Sequence, residues 1–267
     1  MKKSCTIISS CESKRGTYKF SKSFENKSVR LAKSIRKNGG RLSDVPILMW
    51  YGEDAPPSKE TQKKLIDFGC KLVQEKCEYT KDPLFAKVSA CKIPIDTDFG
   101  VWMDSDIFVL DDLYPLLDGD FDVSASPTDF VHHKWANTDD EDRWRQLYRI
   151  NNVEMPNRKL KTYIDGLEGL FYLCSGLFIF KNGIGFPDLY YSTCKMILDN
   201  KNKVDSLNFT QTGLSIAVVK GDFKYKYIPE HMHYVYATHG HKLGDNVAAV
   251  HYQDAKVQEI TDSEWDV

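Results

Sequence analysis

The stretch Gly100-Val101-Trp102-Met103-Asp104-Ser105-Asp106-Ile107-Phe108-Val109-Leu110 decides how the chain is read. An apolar, strand-like run ends in two alternating carboxylates, and a second apolar run follows at once. A carboxylate at the end of a buried strand is costly unless a cation or a row of hydrogen-bond donors meets it. In open α/β sheets the carboxyl ends of the strands are where ligands bind. A helix N-cap is the alternative, and Asp111 and Asp112 just beyond have that look. A cap explains one aspartate; a pair between two apolar runs points to a bound cation.

The segments upstream give that strand its setting. Cys5 to Ser10 reads as a first strand, and Phe24-x4-Val29-x-Leu31-Ala32-x2-Ile35 has helical spacing that ends at Asn38-Gly39-Gly40. Val45 to Trp50 is a second strand. Ser58 is the expected N-cap of a helix running to Phe68, with Gly69 as its stop and a short strand from Cys70 to Val73. A helix carrying Leu84, Phe85, Val88 and Cys91 then leads into the strand that delivers Asp104 and Asp106. This β-α-β-α-β order opens a doubly wound, mostly parallel sheet flanked by helices.

The alternation loosens downstream. Strands are expected over 122–126, 176–180, 225–228 and 247–252, and helices over 139–150, 187–200 and 208–219; residues 151–170 show no clear period. No linker, charge block or repeat divides the chain, so one α/β domain over 1–267 is expected. Its regular half, 1–110, would hold a nucleotide, and its less regular half, 111–267, a more variable ligand.

Composition excludes several function classes. A formal net charge of −2 gives no global attraction to a polyanion, so nucleic acid is not an expected partner. Lys2 and Lys3 precede a span too short for a signal-peptide core, and no run approaches the roughly 18 apolar residues of a membrane helix. A soluble protein without a transmembrane segment, located in the cytoplasm, is the expectation. The 7 cysteines are an odd number with no C-x-x-C spacing, which argues against a disulfide framework or structural zinc.

Four features together resemble the GT-A class of nucleotide-sugar glycosyltransferases, nearest to the group containing glycogenin and bacterial galactosyltransferases. They are Lys87 in Phe85-Ala86-Lys87-Val88, the segment Trp102 to Asp106, the run Cys174-Ser175-Gly176-Leu177-Phe178-Ile179-Phe180, and Val250-His251-Tyr252 with Lys256 beyond. The resemblance implies a GT-A (Rossmann-like) fold and transfer of a sugar from a nucleoside diphosphate sugar, UDP-sugar by preference, to a glycan or glycoconjugate acceptor. It implies Asp104, Asp106 and His251 as ligands of Mn²⁺ or Mg²⁺, with Mn²⁺ favoured if the histidine nitrogen joins. It further implies Lys87 and Lys256 on the phosphates, Ser9 and Ser10 on base and ribose, Ser105 and Asp104 on the nucleotide, and Ser175-Gly176 beside the donor sugar. Gln211 is the family-matched residue for the reacting face of the sugar, and Asp165 and Asp205 are the carboxylates open to a base role.

The chain departs from the pattern on the sugar side. Cys174 stands where relatives have asparagine, Thr210-Gln211 where they have Asp-Gln, and the interval from His251 to Lys256 is one residue short and lacks its glycine. Phe130, His132, His133, Trp135, Trp144 and Tyr148 form an aromatic and imidazole concentration suited either to stacking on an acceptor or to packing under a loop. His239-x-His241, with Gly240 inside the pair and Gly244 beyond it, reads as a loop over the pyrophosphate. Two other readings compete. A HAD-type phosphotransferase also ends a strand in Asp-x-Asp, but its motif lies near the chain start, with Thr or Val where Phe108 stands here. A non-catalytic nucleotide-sugar or carbohydrate binder remains open because the Asp-Gln pair is absent.

Overall fold

The structure is a computed structural model and describes residues 3–12, 21–80, 82–130, 141–201 and 208–252. The chain folds as two compact units, one made of Met1–Gly119 with Pro229–Val267 and the other of Asp120–Ile228. The first unit begins with β1 (Cys5–Ser10), α1 (Ser21–Asn38), β2 (Ile47–Gly52), α2 (Lys59–Asp67), β3 (Cys70–Glu75), α3 (Phe85–Ala90), β4 (Phe99–Met103) and β5 (Ile107–Val109). β1 pairs in parallel with both β2 and β4, and β2 pairs in parallel with β3. The expected mostly parallel sheet of an α/β fold is therefore present. Its strands β1, β2 and β4 are buried almost throughout, as a parallel sheet covered by helices requires.

Local chemistry sets the boundaries. Ser58 caps α2 as its sequence position suggests, its hydroxyl accepting from the Thr61 amide at 3.3 Å. That cap is tied to α1: the hydroxyls of Ser58 and Thr61 both donate to the buried carboxylate of Glu25, each at 2.5 Å. Beyond α1, Gly40 sits at φ +54, where a Cβ would come within 2.6 Å of Asp112 Cβ. Only glycine suits both the left-handed backbone and the close approach. Asp112 in turn accepts from the Tyr114 amide at 3.0 Å and pairs with Arg41 at 2.7 Å, so it closes a turn, while Leu113 holds the N-cap position of the 3-10 turn that follows.

The apolar spacing of α1 buries Val29, Leu31, Ala32 and Ile35, while two of its polar residues, the buried Ser34 and the half-buried Asn38, hold β5. Ser34 Oγ accepts from the Val109 amide at 3.1 Å, and Asn38 Nδ2 donates to the Val109 carbonyl at 2.8 Å. A short strand that would otherwise leave backbone groups unpaired is thereby satisfied from the helix.

The second unit holds β6 (Val123–Pro127), α4 (Glu141–Ile150), β7 (Lys159–Lys161), β8 (Glu168–Leu170), β9 (Leu173–Lys181), α5 (Phe186–Asp199), α6 (Phe209–Lys220) and β10 (Tyr225–Tyr227). β6 pairs antiparallel with β9 and parallel with β10. β9 starts three residues before the strand expected from Gly176, because the β6–β9 register shifts: Ala125 faces Phe178 while Ser126 faces Cys174. Ser175, Gly176 and Leu177 thus form a bulge that interrupts the alternation on which the expected start rested. The aperiodic stretch 151–170 contains the β7–β8 hairpin, whose three-residue strands are too short to show a period. Trp144 and Tyr148 are buried in this unit, with Trp144 edge-on to Tyr172 at 5.3 Å. For these two residues packing, not an exposed stacking surface, is the outcome.

The chain then re-enters the first unit with β11 (Tyr234–Val235) and β12 (Ala249–His251). β12 pairs parallel with β11 and antiparallel with β5, over a small core of Phe108, Tyr234, Tyr236, Val247, Val250 and Tyr252. β11 has two residues and left no trace in the sequence pattern.

Burial holds the thiols of Cys5, Cys11 and Cys70 up at about 12 from the usual 9.0. A thiol whose folded pKa exceeds its unfolded value contributes stability that is present below about pH 9 and is lost as the pH rises toward 12. Urea unfolding at pH 10 is therefore expected to show a loss on the order of 1 kcal/mol per buried thiol relative to pH 8. A Cys5→Ala/Cys70→Ala variant should lose correspondingly less; an equal loss in both proteins would count against burial as the cause.

Candidate metal and nucleotide site

Asp104, Ser105 and Asp106 form the tight turn between β4 and β5, closed by the Ile107 amide donating to the Asp104 carbonyl at 3.0 Å. The pairing of β5 with β12 sets Ile107 opposite His251, and the Tyr252 amide donates to the Asp106 carbonyl at 3.0 Å. In an antiparallel pair, residues facing one another are neighbours in space. A histidine 145 positions further along thus arrives one residue from the second aspartate. His251 Nε2 lies 3.1 Å from Asp106 Oδ1 and 4.0 Å from Asp104 Oδ2.

Two lysines complete the cluster. Lys87, on α3 and buried, reaches the two Asp104 oxygens at 2.8 and 3.0 Å. Trp102, two residues back on β4 and so on the same face of the strand, donates its indole N–H to Asp104 Oδ1 at 2.8 Å. Lys27 of α1 lies 3.6 Å from Asp106 Oδ2, with its ammonium over the rings of Phe24 and Tyr252 at 5.6 and 5.8 Å. The two carboxylates are thereby met by a row of cationic and donor groups.

These contacts set the protonation of Asp106. Burial pushes its pKa up, but the attraction and hydrogen bond of His251, followed by the charges of Lys27 and Lys87, outweigh it and hold the carboxyl well below the usual 3.8. His233 sits behind His251, with its Nε2 3.3 Å from His251 Nδ1 and the two ring planes 18° apart. Burial first, then His251 and Lys87, keep the His233 pKa well below the usual 6.5 despite the opposing charge of Asp106. This second imidazole is neutral at physiological pH.

The donor set fits a hard or borderline divalent cation. Ligand atoms from Asp104, Asp106 and His251 all lie within 4.8 Å of one another. An ion with bonds near ~2.1 Å needs its donors roughly 3–4 Å apart, so a slight contraction suffices. The two carboxylate oxygens suit Mg²⁺ or Mn²⁺, and the imidazole nitrogen beside them favours Mn²⁺.

The other sequence-expected residues fall as follows. Ser9 and Ser10 end β1; Ser9 is fully buried with a hydroxyl that makes no hydrogen bond among the described residues, and the Ser10 carbonyl accepts from Ser28 at 3.2 Å. Ser105 is half-buried at the turn. In the second unit, Ser175 Oγ bonds Thr210 Oγ1 at 3.2 Å, and Gly176 lies in the β9 bulge. Gln211 occupies the first turn of α6, which Asn208 caps by accepting from the Gln211 amide at 3.3 Å. The Gln211 side chain accepts from the Tyr172 hydroxyl and donates to Cys174 Sγ at 3.7 Å. Asp165 is exposed and closes the β7–β8 turn, accepting from Thr162 and, at 3.3 Å, from the Leu167 amide. His239 is stacked on Tyr234 and paired with Glu230 at 2.8 Å. Asp205, Lys256, His132, His133 and Trp135 lie outside the described residues.

Four contributors were missed: Lys27, Trp102 as a donor, His233 and Tyr172. Lys27 carried a signal, since it falls three residues after Phe24 on the apolar side of α1, where a lysine is out of place. His233 carried none, because β11 and the turn before it are too short to leave a period.

This arrangement, a parallel βα half ending in an acid-x-acid turn completed by a late histidine, belongs to the GT-A glycosyltransferases. The Rhodobacterales glycosyltransferase domain family matches residues 21–219, and the chain belongs to that family. No curated protein matches it. Solved structures share its fold at low identity. LgtC, a galactosyltransferase in complex with donor and acceptor sugar analogs, is 14% identical over 93% of this chain and 87% of its own, with TM-score 0.57. The apo bifunctional glycosyltransferase WbbM is 12% identical over 100% of this chain and 51% of its own, with TM-score 0.63. Mouse xyloside xylosyltransferase 1 is 12% identical over 94% and 97%, with TM-score 0.53. The protein is a glycosyltransferase, which sets the phosphotransferase and non-catalytic readings aside. Among the described residues no helix is long and apolar enough to cross a membrane.

Because the Asp106 carboxyl is held below its unfolded value, the stability it contributes is present above about pH 4 and is lost as the pH falls. In metal-free protein, Asp106→Asn should flatten the acid limb of stability, read as the urea midpoint from pH 6 to pH 3. An unchanged limb would mean that the pairings with His251 and Lys27 do not favour the carboxylate.

Proposed function

We propose that the protein moves a sugar from a nucleoside diphosphate sugar, most simply a UDP-sugar, to a hydroxyl of a glycan or glycoconjugate, with Mn²⁺ or Mg²⁺ as cofactor. The observation that carries this reading is the convergence of Asp104, Asp106 and His251 beside Lys87 and Lys27. A divalent cation in this cluster would neutralise charge on the departing diphosphate. Asp104 and Asp106 would hold it through oxygen and His251 through Nε2. Lys87 is already committed to Asp104, so its ammonium both orients that carboxylate and stands where phosphate oxygens need a point charge. Lys256 is assigned the same work on the phosphates.

For the nucleoside, Ser9 is the best-supported candidate, because its buried hydroxyl has no hydrogen-bond partner among the described residues. Such a group is costly unless something binds it. Ser10 and Ser105 are assigned to base and ribose with it. Ser175 and Gly176 are assigned to the donor sugar, where a bulge lets backbone approach a ligand. Gln211 is assigned to the reacting face: a solved relative is an active-site glutamine-to-glutamate mutant of LgtC, and in this chain the Tyr172 hydroxyl fixes the amide. Asp165 and Asp205 are the carboxylates to test for a base. On this reading 1–267 acts as one glycosyltransferase domain, with 1–110 serving the nucleotide and 111–267 the sugars.

Release of nucleoside diphosphate from a panel of nucleotide sugars, with Mn²⁺ or Mg²⁺ and candidate acceptors, tests the reading. One donor should be turned over, and Asp106→Ala should lower kcat about 100-fold or more, the scale seen when one group stabilising developing charge is removed. Metal-independent turnover, or an Asp106→Ala variant as active as the wild type, would contradict it.

A further inference from the structure

We infer that His233 is the positioning residue for the metal-ligating nitrogen of His251: it receives the Nδ1 proton of His251 so that Nε2 keeps its lone pair toward Asp104 and Asp106. The inference rests on the metal site proposed above and assigns a role to a side chain outside that ligand set.

The geometry is built rather than incidental. His233 follows a short 3-10 turn (Glu230–Met232), and its amide donates to the Glu230 carbonyl at 3.0 Å. The next two residues are β11, with Tyr234 opposite Val250 and Val235 opposite His251. The Ala248 amide donates to the His231 carbonyl at 2.7 Å, and the Tyr236 amide to the His251 carbonyl at 3.1 Å. Backbone bonds on both sides therefore lock the segment that carries His233 against the strand that carries His251. Both rings are buried, at 2% and 7% exposure, so the Nδ1 of His251 has little access to water as a substitute partner. The gap of 3.3 Å from His233 Nε2 to His251 Nδ1 and the near-parallel rings leave one imidazole facing the other edge to edge.

The protons follow from this. A neutral imidazole has one N–H and one lone pair. If Nε2 of His251 is to ligate, its single proton must sit on Nδ1, and the group facing Nδ1 must accept. His233 meets that demand with its Nε2 lone pair, which places its own proton on Nδ1. A metal-ligating histidine is ordinarily held through its other nitrogen by a carboxylate, a carbonyl or water, and loss of such a partner typically weakens metal binding about 10–100-fold. Here a second imidazole does it. An amide side chain in the same place can also accept, whereas an aliphatic one cannot.

The test is Mn²⁺ binding to the full chain, read from the signal of free Mn²⁺ by electron paramagnetic resonance, alone and with uridine diphosphate. Wild type, His233→Gln, His233→Leu and Asp106→Asn are compared. His233→Leu should bind about 10–100-fold more weakly, and His233→Gln within a few-fold of wild type. Equal affinity in wild type and His233→Leu, or an equal loss in Gln and Leu, would overturn the assignment, while loss in Asp106→Asn alone would leave the metal site standing. No Mn²⁺ binding by the wild type would instead remove the metal site and the inference with it. A second readout needs no variant: imidazole ¹⁵N spectra of the wild type with Mg²⁺ should show His251 protonated at Nδ1 and His233 protonated at Nδ1. Protonation of His233 at Nε2 in the ion-bound protein would overturn the assignment.

Discussion

The antiparallel pairing of β5 with β12 is the constraint on which the site depends. It joins two segments far apart in sequence, and its register, Ile107 against His251, brings an imidazole to the turn that carries Asp104 and Asp106. A slip of one residue would turn every side chain of a strand to its other face. His251 would then leave the aspartates. The register is protected on one side by α1, whose Ser34 and Asn38 satisfy both backbone groups of Val109, and on the other by β11. Under the strands, Phe108, Val250 and Tyr252 fill a small apolar core that the same slip would expose.

The electrostatics follow from that placement. Two carboxylates close together on one turn repel each other unless positive charge or donors surround them. The chain supplies Lys87 and the Trp102 indole to Asp104, and His251 and Lys27 to Asp106. The first aspartate is thus the more firmly held by protein groups, and the second the more dependent on what lies at the site. That asymmetry makes Asp106 the informative position for mutation.

Much of the first unit was legible in the sequence because its signals are local and strong. Ser58 and Gly69 bracket α2, and the apolar spacing of α1 survives in the buried set Val29, Leu31, Ala32 and Ile35. The acid-x-acid triplet was legible too, since two carboxylates set between apolar runs need positive charge or donors close by. His251 was reached through the resemblance and not through periodicity; only the register explains why it is there. What stayed hidden depends on long-range pairing or on elements too short for a period: His233 beside β11, the β7–β8 hairpin, and the bulge that moves the start of β9 back to Leu173. The role of Tyr172 toward Gln211 likewise arises from the packing of a strand end on a helix start, which no local pattern records.

The most direct measurement is anomalous diffraction from crystals of the full chain grown with Mn²⁺ and uridine diphosphate. One manganese peak is predicted within bonding distance of a carboxylate oxygen of Asp104, a carboxylate oxygen of Asp106 and Nε2 of His251, with the diphosphate completing its coordination. Nucleotide bound against Lys87 and Lys27 with no manganese between the aspartates, or manganese held elsewhere on the chain, would contradict it.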